Sequence, residues 1–273
     1  MELDNQEPQE HPVSRASAAL QQAAGVAKKP KTLAEIIASD TTKKQIALAL
    51  PKHMNTERMT RIIMTEMRKV PKLAECDPVS FLGAVMTVSQ FGLEVGAALG
   101  HAYLLPFDNR KNGTTECQLI IGDKGLLDLA RRSGQIVSIS PRAVYANDEF
   151  SYEYGLNETI KHVPTDGESG ELVYVYAVAK LKDGGTQFEV MSRKQVEKIR
   201  ATSKSGSSPY SPWATHFDEM AKKTVLRRLC KYLPSSLELA RAVTIDEIGD
   251  VVGASQKDVF EGEYNEVTES WQA

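Results

Sequence analysis

Helical periodicity brackets a block of short strand-like segments, and that order limits the fold more than any other feature of the chain. Residues 101–107, 116–121, 135–145, 149–154, 171–181 and 186–191 are short runs rich in β-branched and aromatic residues, as strands are. Turn signals separate them. Residues 108–113 (DNRKNG) predict a turn, and Asp183-Gly184 is a strong hairpin signal. A single helical stretch, 124–132, interrupts the block and ends at Gly134. Upstream, a loose apolar period over 33–50 ends at Pro51. Asn55 or Thr56 caps a helix that Pro71 stops, and Asp77-Pro78 opens a third over 79–91. Downstream, Ser192 and Gln195 form a capping box for a helix to about residue 202. A Ser/Gly/Pro loop then precedes a long helix over 213–232 and a shorter one over 236–243. The fold class read from this order is α+β: a mostly antiparallel sheet with an inserted helix, flanked by N- and C-terminal helices.

The 273 residues carry 33 Lys+Arg against 36 Asp+Glu, a net charge of −3. At face value that speaks against a nucleic-acid partner, since such proteins are often strongly basic. Resolved by segment, the number changes meaning. Residues 1–31 are polar, hold four charges of each sign and read as a flexible arm. Residues 244–273 hold eight acidic residues and one lysine, and read as an acidic, disordered tail. The core, 32–243, is left with 28 basic and 24 acidic residues. A hydrophobic content of 41 % and a charged content of 25 % are globular values and exclude fibrous or wholly disordered chains. Three scattered cysteines, Cys76, Cys117 and Cys230, suit a reducing compartment. The acidic N-terminus is unlike a signal peptide, and no apolar run approaches the roughly 20 residues of a membrane span. The expectation is a cytoplasmic protein with no membrane partner.

Three helical wheels concentrate the positive charge. Arg58, Arg61, Arg68 and Lys69 share one face of 56–70. Lys124 and Arg131 share a face of 124–132, with Arg132 beside them. Lys223, Arg227 and Lys231 line up at i, i+4, i+8, with Arg228 adjacent. Lys222 falls near the centre of the apolar stripe of that helix, where it must snorkel, pair or face a groove. One such face alone is ordinarily a solvated surface. Three in one core fit a site that tracks a phosphate backbone through spaced cations. Flat rings would be needed to stack bases, and Tyr103, Phe107 and Trp213 are candidates, although most aromatics on strands belong to the core.

Several chemistries lack their residues. There is no GxxxxGK[ST], and the glycine-rich stretch 92–100 (GLEVGAALG) has neither the lysine nor the hydroxyl of a phosphate loop. The five histidines show no HExxH spacing, and no GxSxG is present. Scattered carboxylates leave a two-metal nuclease open without arguing for one.

Long stretches carry a family resemblance. Residues 92–107 (GLEVGAALGHAYLLPF), 118–135 (QLIIGDKGLLDLARRSGQ), 181–190 (LKDGGTQFEV) and 219–233 (EMAKKTVLRRLCKYL) resemble the RecT family of phage and prophage recombination proteins. Residues 51–71 and the acidic tail also fit, so the likeness spans roughly 40–245 in register. It implies an ATP-independent protein that binds single-stranded DNA and anneals complementary strands. It also implies a curved antiparallel sheet and self-assembly as a ring or helical filament, with DNA held in a basic groove. Implied partners are single-stranded DNA, the annealed duplex, a 5′→3′ exonuclease and the host single-strand binding protein. No cofactor is implied, and Mg²⁺ enters only as an aid to annealing. Carried over by motif, Lys124, Arg131, Arg132, Lys222, Lys223, Arg227 and Arg228 become DNA-binding residues, alongside Arg58 and Arg61 from the wheel. One departure matters: members often carry an aromatic residue where this chain has Asp123, which puts a negative charge beside Lys124. The alternatives are a metal-dependent nuclease and a passive strand-coating protein.

Overall fold

The computed structural model describes residues 32–109, 112–251, 254–257 and 259–260. The expected arm, 1–31, lies outside the described residues, as do residues 261–273. Two short helices open the core, α1 (Leu33–Ala38) and α2 (Asp40–Ala49). They replace the single helix expected over 33–50. Ser39 is the reason: its backbone is extended, its hydroxyl donates to the Ile36 carbonyl and it accepts from Thr42 N–H. It ends one helix and caps the next. Helix α3 (Thr56–Lys69) is capped by Asn55 and runs out before Pro71, as expected. Helix α4 (Pro78–Gln90) starts at the Asp77 cap and is buried on most of its surface. It is pinned to the sheet, because the Ser80 hydroxyl accepts the Cys117 N–H at 2.9 Å.

Strands β1 (Ala102–Asn109) and β2 (Thr114–Ile121) form a hairpin in continuous register from Ala102↔Ile121 to Asn109↔Thr114. Helix α5 (Asp123–Arg132) follows directly. Next come β3 (Ile136–Tyr145), β4 (Glu149–Glu153), β5 (Thr159–Val163), β6 (Leu172–Leu181) and β7 (Thr186–Ser192). The named strands pair antiparallel in three units, β1-β2, β3-β6-β7 and β4-β5, and an isolated parallel bridge joins Val95 to Ala102. The class is α+β with helices flanking antiparallel sheets. Strand β5 is absent from the sequence reading. Only Ile160 and His162 of its five residues are sheltered, too few to mark an alternation.

Each face of the three-stranded unit has its own cover. Val175, Ala177 and Ala179 are fully buried on the face met by α8 (Phe217–Cys230). The other face carries Tyr174, Tyr176 and Phe188, and the β4-β5 hairpin closes over it. Phe150 packs on Tyr174 and Tyr176 at about 5.5 Å, and Tyr154 stacks on Phe188 at 5.2 Å. These rings hold the hairpin down. His162 is enclosed there between Asp148 Oδ2 (3.0 Å) and the Tyr176 hydroxyl (3.1 Å). Backbone N–H donation from Tyr145 and Thr165 to Asp148 keeps that carboxyl below the usual range.

Helix α6 (Arg193–Thr202) begins at the expected Ser192–Gln195 capping box. The helix expected over 213–232 is divided at His216 (φ −140°, ψ 53°) into the short α7 (Pro212–Thr215) and α8. Helix α9 (Leu237–Asp250) runs through residue 243, the expected end of the core. Beyond it, Gln256 Oε1 accepts the Leu119 N–H at 2.8 Å, while Nε2 donates to the carbonyls of Leu119 and Ile245. A side-chain amide thus takes a neighbouring strand's place along part of β2. Phe260 is buried against Gly83, where a Cβ would collide with it. Packing therefore extends to Phe260. The acidic count of 244–273 masked this, because Ile245, Gly249 and Phe260 supply the burial between the charges. The three cysteines are free thiols, all buried.

Candidate nucleic-acid interface

The basic helix α8 was the strongest expectation for strand contact, and its cations already have partners. Lys223 Nζ lies 3.1 Å from Asp246. Arg227 reaches Asp246 at 2.8 Å and Asp250 at 2.6 Å, and Lys231 reaches Glu247 at 2.6 Å. The row at i, i+4, i+8 faces α9 and is matched there by acids. Asp246 is fully buried and also accepts the Ile121 N–H at 3.0 Å. Burial works against its charge, but Lys223 and Arg227 outweigh that and hold its carboxyl below the usual range. Burial likewise opposes the Arg227 charge, and Asp246 and Asp250 overcome it, raising its pKa. Lys222, placed by the wheel among apolar residues, escapes by pairing with Glu219 at 2.6 Å. Arg228 is exposed and meets Glu189 of β7 at 3.1 Å.

Other expected contacts are structural in the same sense. Arg132 donates to the carbonyls of Phe91 (2.6 Å) and Gly92 (2.8 Å) and pairs with Asp128. It thereby ties α5 to the C-terminal end of α4. Arg58 holds Glu94 through two hydrogen bonds of 2.6 and 2.9 Å. Trp213 is buried, donates to the Ser203 hydroxyl and leans on Phe217, so its ring has no free face for a base. The Phe107 ring carries the Lys204 ammonium 5.4 Å from its centroid. Burial pulls the Lys204 pKa down, against the pull of Glu116 and Asp250.

Among the described residues, three expected cations are exposed and without an ion pair: Arg61 on α3, and Lys124 and Arg131 on α5. Their helices are brought together by the glycine-rich segment after α4. A Cβ on Gly122 or Gly125 would strike the carbonyl oxygens of Gly100 or His101, so only glycine lets α5 sit this close to the loop. Gly122 N–H also donates to the His101 carbonyl at 2.9 Å. Lys124 and the Tyr103 hydroxyl both line the space over Gly100. Burial, then the Asp123 carboxylate, raises the Tyr103 pKa. A cavity of about 640 Å³ runs between α3 and residues 94–99, lined by Arg61, Arg58 and Leu99 among others. Tyr103 and Phe107, both part-exposed on β1, are the expected rings that keep some free surface.

The sequence reading missed Arg142, exposed on β3 and without an ion pair among the described residues, and the exposed run Ala97, Ala98 and Leu99. The signal for that run was available: three apolar residues between Gly96 and Gly100 that no periodicity accounts for. Among the described residues, no three or more His, Cys, Asp or Glu are grouped to hold a metal ion, and no helix is long and apolar enough to cross a membrane.

Comparison with known proteins identifies the arrangement. The chain is 52 % identical over 250 residues to "Protein RecT" of Escherichia coli (strain K12), covering 90 % of this chain and 92 % of that one. It is 27 % identical over 187 residues to "Uncharacterized protein YqaK" of Bacillus subtilis (strain 168), covering 68 % of this chain and 62 % of that protein. The RecT family model matches residues 57–259, which take in α3, the glycine-rich loop, α5 and the α8–α9 pair. A stretch that long, running through every element of the candidate interface, places the chain in the RecT family.

Proposed function

We propose that this protein binds single-stranded DNA and anneals complementary strands without nucleotide hydrolysis. The family match over residues 57–259 carries this reading. The geometry supports it through Arg61 and Lys124, which flank one loop, and Arg131 on the same helix as Lys124; all three are exposed and make no ion pair among the described residues. Such cations gain most from phosphate, since contact releases the counterions condensed on DNA and breaks no internal pair. A strand held by its phosphates keeps its base edges open to a second strand. Duplex formation then supplies roughly 1.4 kcal/mol per stacked step, enough to drive the reaction with no other energy source. A protomer of this size covers few nucleotides, so firm binding requires protomers assembled side by side along the strand. A 5′→3′ exonuclease would supply the exposed strand, and the host single-strand binding protein is a further partner. Mg²⁺ would assist annealing only by screening the two backbones. The protein's place would be the cytoplasm.

Mixing complementary labelled oligonucleotides with the full-length protein, without ATP, tests the proposal. Pairing should run faster than the spontaneous rate and leave both strands intact. Strand shortening in Mg²⁺ would reassign the protein to the nucleases. Protection of the strands with no acceleration of pairing would reduce it to a coat.

A further inference from the structure

Residues 96–100 form a small knob closed by a backbone hydrogen bond. Gly96 (φ 107°) and Gly100 (φ 68°) both lie in the left-handed region, where a side chain would be strained. The knob is closed by Gly100 N–H donating to the Gly96 carbonyl at 3.2 Å, and anchored by Gly96 N–H donating to the Ala102 carbonyl at 2.8 Å. A side chain at Gly96 would run into the Glu66 carboxylate of α3, so the knob is seated tightly on that helix. Its crown is Ala97, Ala98 and Leu99, all exposed, with Leu99 at 43 %. Consecutive exposed apolar residues lose nothing by being covered and ordinarily mark a contact.

The flanks indicate what covers them. Arg61 shares the cavity wall with Leu99, and Lys124 lies against Gly100. Neither has a carboxylate partner among the described residues, whereas Arg58 has Glu94. A protein surface pressed on the knob would have to desolvate both cations and supply two acids. A nucleic-acid strand brings flat apolar bases and an anion at every step.

We infer that the 96–100 knob is a base-contacting wedge, with Leu99 at its tip, that takes the nucleobases of a single strand while Arg61 and Lys124 hold the phosphates on either side. This rests on the strand-binding reading above.

Full-length Leu99→Ser and Leu99→Met, titrated with an oligothymidylate carrying one 2-aminopurine, test it. Leu99 is exposed, so both variants should melt with the native protein. Leu99→Ser should bind about fivefold to tenfold more weakly with an unchanged salt slope, because an apolar base contact is lost and no phosphate contact is. It should also lose most of the 2-aminopurine fluorescence rise, and Leu99→Met should keep both. Native affinity and native fluorescence in Leu99→Ser would overturn the wedge. So would loss of self-association without DNA in sedimentation, which would assign the knob to a second copy of the chain. The parent reading is tested separately by Lys124→Gln/Arg131→Gln. If that pair leaves the salt slope intact, strand binding at this face fails; if the slope changes while Leu99→Ser stays silent, only the wedge fails.

Discussion

Two sets of basic residues in this molecule look alike on a helical wheel and do opposite things. On α8, Lys223, Arg227 and Lys231 face Asp246, Asp250 and Glu247 of α9, and Arg227 is only 7 % exposed. On α3 and α5, Arg61, Lys124 and Arg131 are exposed and make no ion pair among the described residues. The first set spends its charge inside the protein. The second leaves its charge at the surface. The difference lies in what each helix packs against. Spacing along one helix shows which side chains share a face, but whether that face meets water or acids is decided by another element.

The comparison breaks most severely where the paired set loses its acids. Truncation after residue 243 removes Asp246, Asp250, Gln256 and Phe260 together. It strips two buried cations of partners, opens part of β2 and leaves a cavity over Gly83. The truncated protein should not fold, and its circular dichroism should show no cooperative melt. A native melt would return these residues to a dispensable tail. Next in size is Arg227→Met. It leaves Asp246 and Asp250 with one less counter-charge in the interior, and should cost about 3–5 kcal/mol in urea unfolding. The protein that remains folded should bind single strands with an unchanged salt slope. A flattened slope would move Arg227 to the DNA.

These outcomes bear on how much could be read in advance. The caps at Asn55, Asp77 and Ser192 lie where their side-chain chemistry puts them, and Gly184, at φ 87°, turns the expected hairpin between β6 and β7. Such features depend on neighbours within a few residues. The pairing of Arg227 with Asp246 spans 19 residues and two helices, and the bond from Gln256 to Leu119 spans 137. No local pattern contains either. Trp213 shows the same limit, since a tryptophan opening a helix can stack on a base or fill a core, and only the Ser203 hydroxyl behind it decides. Charge counted by segment was sound as arithmetic but misleading at the C-terminus, where buried Asp246 counted the same as an exposed acid.

The unpaired set is sharpened by Lys124→Gln/Arg131→Gln. Both side chains are exposed, so the melting temperature should hold while single-strand affinity falls about tenfold or more at low salt. The plot of log affinity against log salt should flatten by about 1.4, from roughly 0.7 per phosphate contact on a single strand. The same substitution at Lys222, which is paired with Glu219, should flatten it by less.

The smallest effect separates the two sets by pH. The Asp246 carboxyl is held below its ordinary value by Lys223 and Arg227, so the unfolded chain takes up a proton before the folded one does. Its stabilising contribution is therefore complete above the unfolded value of about 3.9 and drains away as pH falls through the lower folded value. Stability measured by urea unfolding from pH 5 down to pH 3 should thus fall less steeply in Asp246→Asn than in the native chain, although the variant starts lower. The folded variant, at pH 7, should bind single strands with the native salt slope, because Asp246 is buried in the paired set. Equal acid slopes in the two proteins would mean that Asp246 keeps its proton inventory on folding, and the paired region would then be held by packing and not by charge.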